Sequence, residues 1–320
     1  MKIILITPAA AHVRNGNRNT AQRWAAYLRE LGHRVKVMVH WDGSKADLML
    51  ALHARRSYSS IKQFSTRHPH LPLIVVLTGT DLYRDIKTDP QAQESMRLAT
   101  RLIVLQDMGL EELTSDLRNK TDVVYQSAQP VSARTPLKTR FEVCLIGHLR
   151  VEKDPFRTAL ATVHLPIQSK IHVSHMGRAL ESEMADEARH LMQLAPRYTW
   201  LGEIPHWAVR KKLSRSHLMV ITSLMEGGAN VICEALMANI PVIASNISGN
   251  IGMLGKDYAG YYPCKDEKAL AQLLWRAESD SAFYNRIKTQ CAARKSLVEP
   301  EREKSALKKE MTLIHSGNPG

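Results

Sequence analysis

What most constrains the fold of this chain is a rhythm. Short apolar runs of strand length alternate with stretches whose apolar residues recur at helical spacing, and the alternation occurs twice. In the first half IILIT reads as a buried strand. TAQRWAAYLREL sets Trp24, Tyr27, Leu28 and Leu31 at helical spacing and ends at Gly32, and RVKVMVHW alternates Val35, Val37 and Val39 in strand fashion. DLMLALHA, LPLIVVLTG, RLIVLQ and TDVVYQS continue as strands, with helices expected near 57–67, 90–99 and 107–117. Short apolar runs alternating with helices indicate parallel βαβ units, with helices covering both sheet faces. The stretch AQPVSARTPLKTR, residues 128–140, has neither period and is rich in Pro, Ser, Thr and basic residues, as a linker is. Beyond it the rhythm restarts with FEVCLIGHL, KIHVSHMG, RYTWLGE, HLMVITS and IPVIAS. The expectation is an α/β protein of two doubly wound parallel sheets, with domains over 1–130 and 141–296, a linker over 131–140 and a helical tail over 297–320.

A chain of 320 residues suits two domains of about 150 residues each. No apolar run approaches the roughly 18 residues of a membrane span, and MKIILITPAA has too short an apolar stretch for a signal-peptide core, so it reads as a first strand. Cys144, Cys233, Cys264 and Cys291 are scattered, which argues against a zinc site or a disulfide framework. Buried reduced thiols in a cytoplasmic protein are expected. The net charge of +13 makes an anionic partner worth considering. Nucleic acid is disfavoured, because no zinc-finger spacing, helix-turn-helix pattern or aromatic-rich basic motif is present, and a small phosphorylated ligand fits at least as well. Part of the charge lies in EREKSALKKE, expected to be a solvated terminal helix.

In doubly wound sheets ligands sit beyond the carboxyl ends of the strands, so the loops leaving each strand are the ones to inspect. After the first strand comes AAAHVRNGNRNTAQRW, with Gly16 near the helix entry and Arg14, Arg18 and Arg23 around it; later strands of this half end in HARRS and TGTDLYRD. In the second half the strand ends carry GHLRVEKDP, GEIP and EGGANV. Within EGGANVICEA, a glycine pair opens a helix between Glu226 and Glu234. One reading is a plain turn with an acid meeting the helix dipole; the other is a phosphate site of backbone N–H groups flanked by carboxylates that grip sugar hydroxyls. Arg150 and Lys153 either clamp a diphosphate, by a forked and a point-charge contact, or pair with Glu152 and Asp154. His53 either positions a sugar hydroxyl or the acceptor, or is structural. No D-x-D follows a strand, so the usual way of holding a metal for nucleotide-sugar chemistry is missing and no metal is expected. Leaving-group charge then falls to Arg150, Lys153 and helix N–H groups.

GHLRVEKD, LGEIP, EGGANVICEAL and IPVIAS, in that order and spacing, resemble the second-domain signature of the metal-independent glycosyltransferases with two Rossmann-like domains facing across a cleft, the GT-B type, family 4-like. The resemblance implies that Glu226 contacts hydroxyls of the transferred sugar, Gly227 and Gly228 present backbone N–H groups, Glu234 holds the nucleotide ribose, and Arg150 and Lys153 grip the diphosphate. It extends donor binding to Gly147, Gly202, Glu203, Ala229 and Asn230, with His53, Arg150, Lys153 and Glu226 as the catalytic set. GNRNTAQRW, LALHARRS, LTGTDLYRDI and SGNIGMLGKDYAGYY, with the stretches above, are similar to the selenosugar synthases of selenoneine biosynthesis. That narrower resemblance implies transfer from a UDP-sugar, UDP-N-acetylglucosamine or UDP-glucose, to selenophosphate with formation of a carbon–selenium bond. Where members of the broader family commonly carry a bulky residue and a third glycine after E-G, this chain has Gly228, Ala229 and Asn230, a departure in keeping with the narrower match. A small, multiply anionic acceptor suits a cationic pocket; the acceptor set is Gly16, Asn17, Arg18, Arg55, Arg56, Thr80 and Arg84, with Arg14 beside it. The rivals are an ordinary glycosyltransferase with a hydroxyl acceptor and a non-catalytic nucleotide- or nucleic-acid-binding protein.

Overall fold

The computed structural model describes residues 1–10, 16–131, 135 and 139–316. Arg14 and much of the expected linker lie outside the described residues. The chain forms two compact units: one comprises Met1–Ser127, Glu226–Asn230 and Glu299–Gly320, the other Ala128–Met225 and Val231–Val298. The segment Glu226–Asn230 and the terminal helix therefore group with the first unit, across the linear order of the sequence.

The first unit is a six-stranded, all-parallel sheet of β1 (Lys2–Ile6), β2 (Arg34–Met38), β3 (Leu48–Leu52), β4 (Leu73–Leu77), β5 (Arg101–Val104) and β6 (Thr121–Val123), in the order β2-β1-β3-β4-β5-β6. Because side chains alternate across a strand, its apolar runs feed two cores. Ile4, Ile6, Met49, Ala51, Val75 and Leu77 pack with Phe64 and Met96 of the helices Tyr58–Arg67 and Pro90–Leu98. Ile3, Leu5, Leu48, Leu50, Ile74 and Val76 pack with Trp24 and Leu28 of the helix Gly16–Glu30.

Two expectations for this half are corrected. The helix near 107–117 is a 3-10 turn, Asp107–Glu112, followed by a single helical turn, Ser115–Arg118. Gly109 is pressed so close to the end of β5 that a Cβ there would lie 3.0 Å from Val104 Cβ, which binds the segment to the strand end. The terminal helix, Pro300–Ser316, is not simply solvated: Leu307, Met311 and Ile314 join the second core, and Glu303 and Glu310 are buried.

The second unit repeats the plan with β7 (Phe141–Ile146), β8 (Ile171–Met176), β9 (Tyr198–Trp200), β10 (Leu218–Ile221), β11 (Val242–Ser245) and β12 (Tyr261–Tyr262), all parallel in the order β12-β11-β10-β7-β8-β9. Asp266 and Asp280 cap the helices Glu267–Ser279 and Ser281–Arg294 by accepting from Ala269 N at 2.8 Å and Phe283 N at 3.0 Å. Cys144, Cys233 and Cys291 are buried free thiols, whereas Cys264, expected to be buried, is partly exposed. Among the described residues no helix is long and apolar enough to cross a membrane.

Candidate functional site

Each sheet reverses strand order at one place, between β1 and β3 in the first unit and between β7 and β10 in the second. At such a point adjacent loops leave in opposite directions and open a crevice. In the second unit the loop leaving β7 is built with care. Gly147 N–H donates to Met176 O at 2.9 Å and Leu149 N–H to Arg178 O at 2.9 Å, tying it to the end of β8. Gly177 allows this approach, since a Cβ there would stand 1.8 Å from Gly147 O. Arg150 then precedes the 3-10 turn Val151–Lys153. The turn is fastened to the end of β10, with Thr222 Oγ1 donating to Lys153 O at 2.7 Å and Leu224 N–H to Glu152 O at 2.9 Å. Asp154 is engaged by Arg157 at 2.9 Å. Arg150 and Lys153 are thus carried by a turn anchored at both neighbouring strands. At the end of β9, Gly202 takes a φ of +67° and its carbonyl accepts from Gly177 N at 2.8 Å, while Glu203 is exposed. Glu234, on the helix Asn230–Met237, meets His206 Nε2 through Oε1 at 3.1 Å.

In the first unit His53 follows β3 with a φ of +74°, unusual for a residue with a Cβ, and is only 2% exposed. Arg56 N–H donates to its Nδ1 at 3.3 Å, so the ring's own N–H is on Nε2, facing Thr80 Oγ1 at 3.0 Å. Burial lowers the pKa of His53, and Asp81, with Oδ2 3.8 Å from Nδ1, offsets part of that. The Asp81 carboxylate is itself held by the N–H groups of Ala54, Thr78 and Gly79 at 2.8–2.9 Å. Beside it, Arg55 and Arg84 both reach Asp85, at 2.9 and 3.1 Å. Arg56 is exposed, Arg18 partly so.

The glycine pair has a packing role. A Cβ on Gly227 would lie 2.2 Å from Thr78 O, and one on Gly228 2.6 Å from Leu105 Cβ. Glu226 and Ala229 are buried beside them. Asn230 accepts through Oδ1 from Arg23 Nη1 at 3.2 Å and faces Gly16, whose Cβ would stand 3.7 Å from Asn230 Nδ2. Asn17 is partly exposed on the first turn of the helix Gly16–Glu30. Arg23 is fixed in turn by Glu303, through Nε at 2.7 Å and Nη2 at 3.1 Å.

The family described as Glycosyl transferases group 1 matches residues 131–294, just over half of the chain. The chain belongs to this family. A glycosyltransferase from Bacillus subtilis named for teichuronic acid biosynthesis, TuaC, is 32% identical over 82 residues, 26% of this chain and 21% of that one. The Xenopus tropicalis protein named glycosyltransferase 1 domain-containing protein 1 is 21% identical over 288 residues, 81% of this chain and 83% of its own length. Among solved structures, Anabaena Alr3699/HepE in complex with UDP-glucose is similar with a TM-score of 0.77 at 14% identity, covering 98% of this chain and 99% of that one. That likeness shows the GT-B fold expected from the sequence.

In this group 1 glycosyltransferase the described residues singled out by sequence stand at carboxyl ends of strands or on the segments that follow. Sequence reasoning missed the groups that hold them: Asp81 under His53, Asp85 between Arg55 and Arg84, and Glu303 behind Arg23. Asp81 and Asp85 lay within the quoted TGTDLYRD, and two acids there amid cations were the available signal. Glu303 carried none, because Arg23 lies 280 residues away in sequence.

Proposed function

We propose that this glycosyltransferase is a selenosugar synthase of selenoneine biosynthesis, transferring the sugar of UDP-N-acetylglucosamine or UDP-glucose to selenophosphate. The observation that carries the reading is that Arg18, Arg55, Arg56 and Arg84 all lie on the loops and first helical turns that follow strands of the first unit, with the buried Asp85 as the carboxylate shared by Arg55 and Arg84. A small acceptor with several negative charges suits such loops better than a neutral sugar hydroxyl does. The UDP-glucose bound by HepE supports a UDP-sugar as donor.

In this reading Arg150 and Lys153 take the diphosphate, Glu234 directs Oε2 to the ribose while Oε1 meets His206, and Glu226 holds hydroxyls of the sugar. Gly202 and Glu203 border the nucleotide. The selenium lone pair forms the C–Se bond as the anomeric C–O bond breaks, and that electron pair leaves on UDP. Arg150 and Lys153 stabilise the charge developing on the diphosphate, so no divalent ion is required. Water then cleaves the Se–P bond, giving inorganic phosphate and the 1-selenosugar. Selenium is nucleophilic enough to need no strong base, which accords with a buried His53 whose two nitrogens are engaged; it orients Thr80 toward the acceptor.

The roles of the two acids separate experimentally. Glu234→Gln is expected to weaken UDP and UDP-sugar alike by about 10- to 100-fold, the loss of charge-assisted contacts to a ribose common to both. Glu226→Gln is expected to leave UDP affinity near wild type and to lower turnover. Calorimetric UDP titration with steady-state kinetics reads both, and equal loss of UDP affinity in the two variants contradicts the assignment.

A further inference from the structure

His175 lies on β8, is 1% exposed, and belongs to no group assigned above. Its Nε2 is 3.0 Å from Gly147 O and its Nδ1 is 2.7 Å from Tyr198 Oη on β9. A carbonyl only accepts, so Nε2 carries the proton, and the Tyr198 hydroxyl must donate to Nδ1. Tyr198, 2% exposed and packed edge-on to the imidazole at 5.9 Å, thereby supplies the donor that Nδ1 needs in the tautomer that holds Gly147. Burial lowers the pKa of His175 to about 4, which keeps the ring neutral and this arrangement intact at ordinary pH.

The consequence follows from peptide geometry. The Gly147–His148 bond is trans, so its N–H points away from its C=O. With the carbonyl drawn inward by His175, the His148 N–H is turned to the opposite side. The loop is also pinned where Arg178 N–H donates to His148 Nδ1 at 3.1 Å, and three residues on from Gly147 comes Arg150. We infer that His175 is a positioning residue for the donor's diphosphate: through Gly147 O it sets the orientation of the Gly147–His148 peptide and the departure direction of the loop that carries Arg150 and Lys153, with Tyr198 donating to its Nδ1. The inference rests on the reading of that loop as the diphosphate site.

Calorimetric titration with UDP tests it, on wild-type protein and on His175→Leu, His175→Gln and Tyr198→Phe, with thermal stability measured in parallel. Leucine fills the space and donates nothing; glutamine can place an amide N–H where Nε2 was. The expected result is UDP affinity about tenfold weaker for His175→Leu, within about threefold of wild type for His175→Gln, and a few-fold weaker for Tyr198→Phe. Recovery in the glutamine variant without recovery of thermal stability separates positioning from a general structural role. Wild-type UDP affinity in His175→Leu, or an equal loss in the leucine and glutamine variants, overturns the inference. Should His175→Leu fail to fold, Tyr198→Phe decides, and unchanged affinity there overturns it. Absence of UDP binding by wild-type protein instead overturns the donor reading, and the inference falls with it.

Discussion

At the scale of residues, the structure sorts cations that the sequence leaves equivalent. HARRS and TGTDLYRD present Arg55, Arg56 and Arg84 alike, yet Arg55 and Arg84 share Asp85, whose side chain is 6% exposed, while Arg56 extends into solvent. Removing Arg55 strips a buried carboxylate of one of its partners. Arg55→Ala is therefore expected to lower stability by about 1–2 kcal/mol in chemical denaturation, discounted for a guanidinium that is itself partly exposed. Arg56→Ala is expected to leave stability within about 0.5 kcal/mol of wild type and to weaken apparent selenophosphate affinity about tenfold or more at saturating donor. The reverse pattern would make Arg55, and not Arg56, the main contact to the acceptor. The types of residue needed for the chemistry were legible in sequence; which of them are already occupied was not, because Arg55 and Asp85 are 30 positions apart and meet only once β3 and β4 are paired.

At the scale of elements, strands were legible where apolar runs are long and fully buried, as in β3 and β4. β12, two residues long, pairs with β11 through Ala244 and Ser245, and so short a segment carries no periodicity to read. The terminal helix shows a different limit. Leu307, Met311 and Ile314 recur at helical spacing, but the surrounding charges of EREKSALKKE hide the stripe, and the decisive group is an acid. Glu303 accepts from Arg23, from Trp24 Nε1 at 2.6 Å, from Ser127 N at 2.9 Å and from the Ser127 hydroxyl. Burial of a carboxylate is tolerated only with such partners, and deleting it leaves the indole and amide donors unsatisfied. Glu303→Ala is expected to cost about 3 kcal/mol or more in urea unfolding. A loss under about 1 kcal/mol would mean the helix is a dispensable appendage, as a purely solvated tail would be.

At the scale of the whole molecule, the repeated βα rhythm carried two doubly wound sheets, and the structure and the family match agree with it. What the rhythm could not carry is the grouping of Glu226–Asn230 with the first unit, because the pressure of Gly227 on Thr78 and of Gly228 on Leu105 is tertiary. Family membership makes this a glycosyltransferase; the account goes further in naming the acceptor, and that is its central claim. Purified protein incubated with selenophosphate and either UDP-N-acetylglucosamine or UDP-glucose, analysed by mass spectrometry, tests it most directly. The account predicts a sugar product bearing the selenium isotope envelope, formed together with UDP only when both substrates are present. UDP release with no selenium-bearing sugar, or transfer to a hydroxyl acceptor in its place, would contradict it.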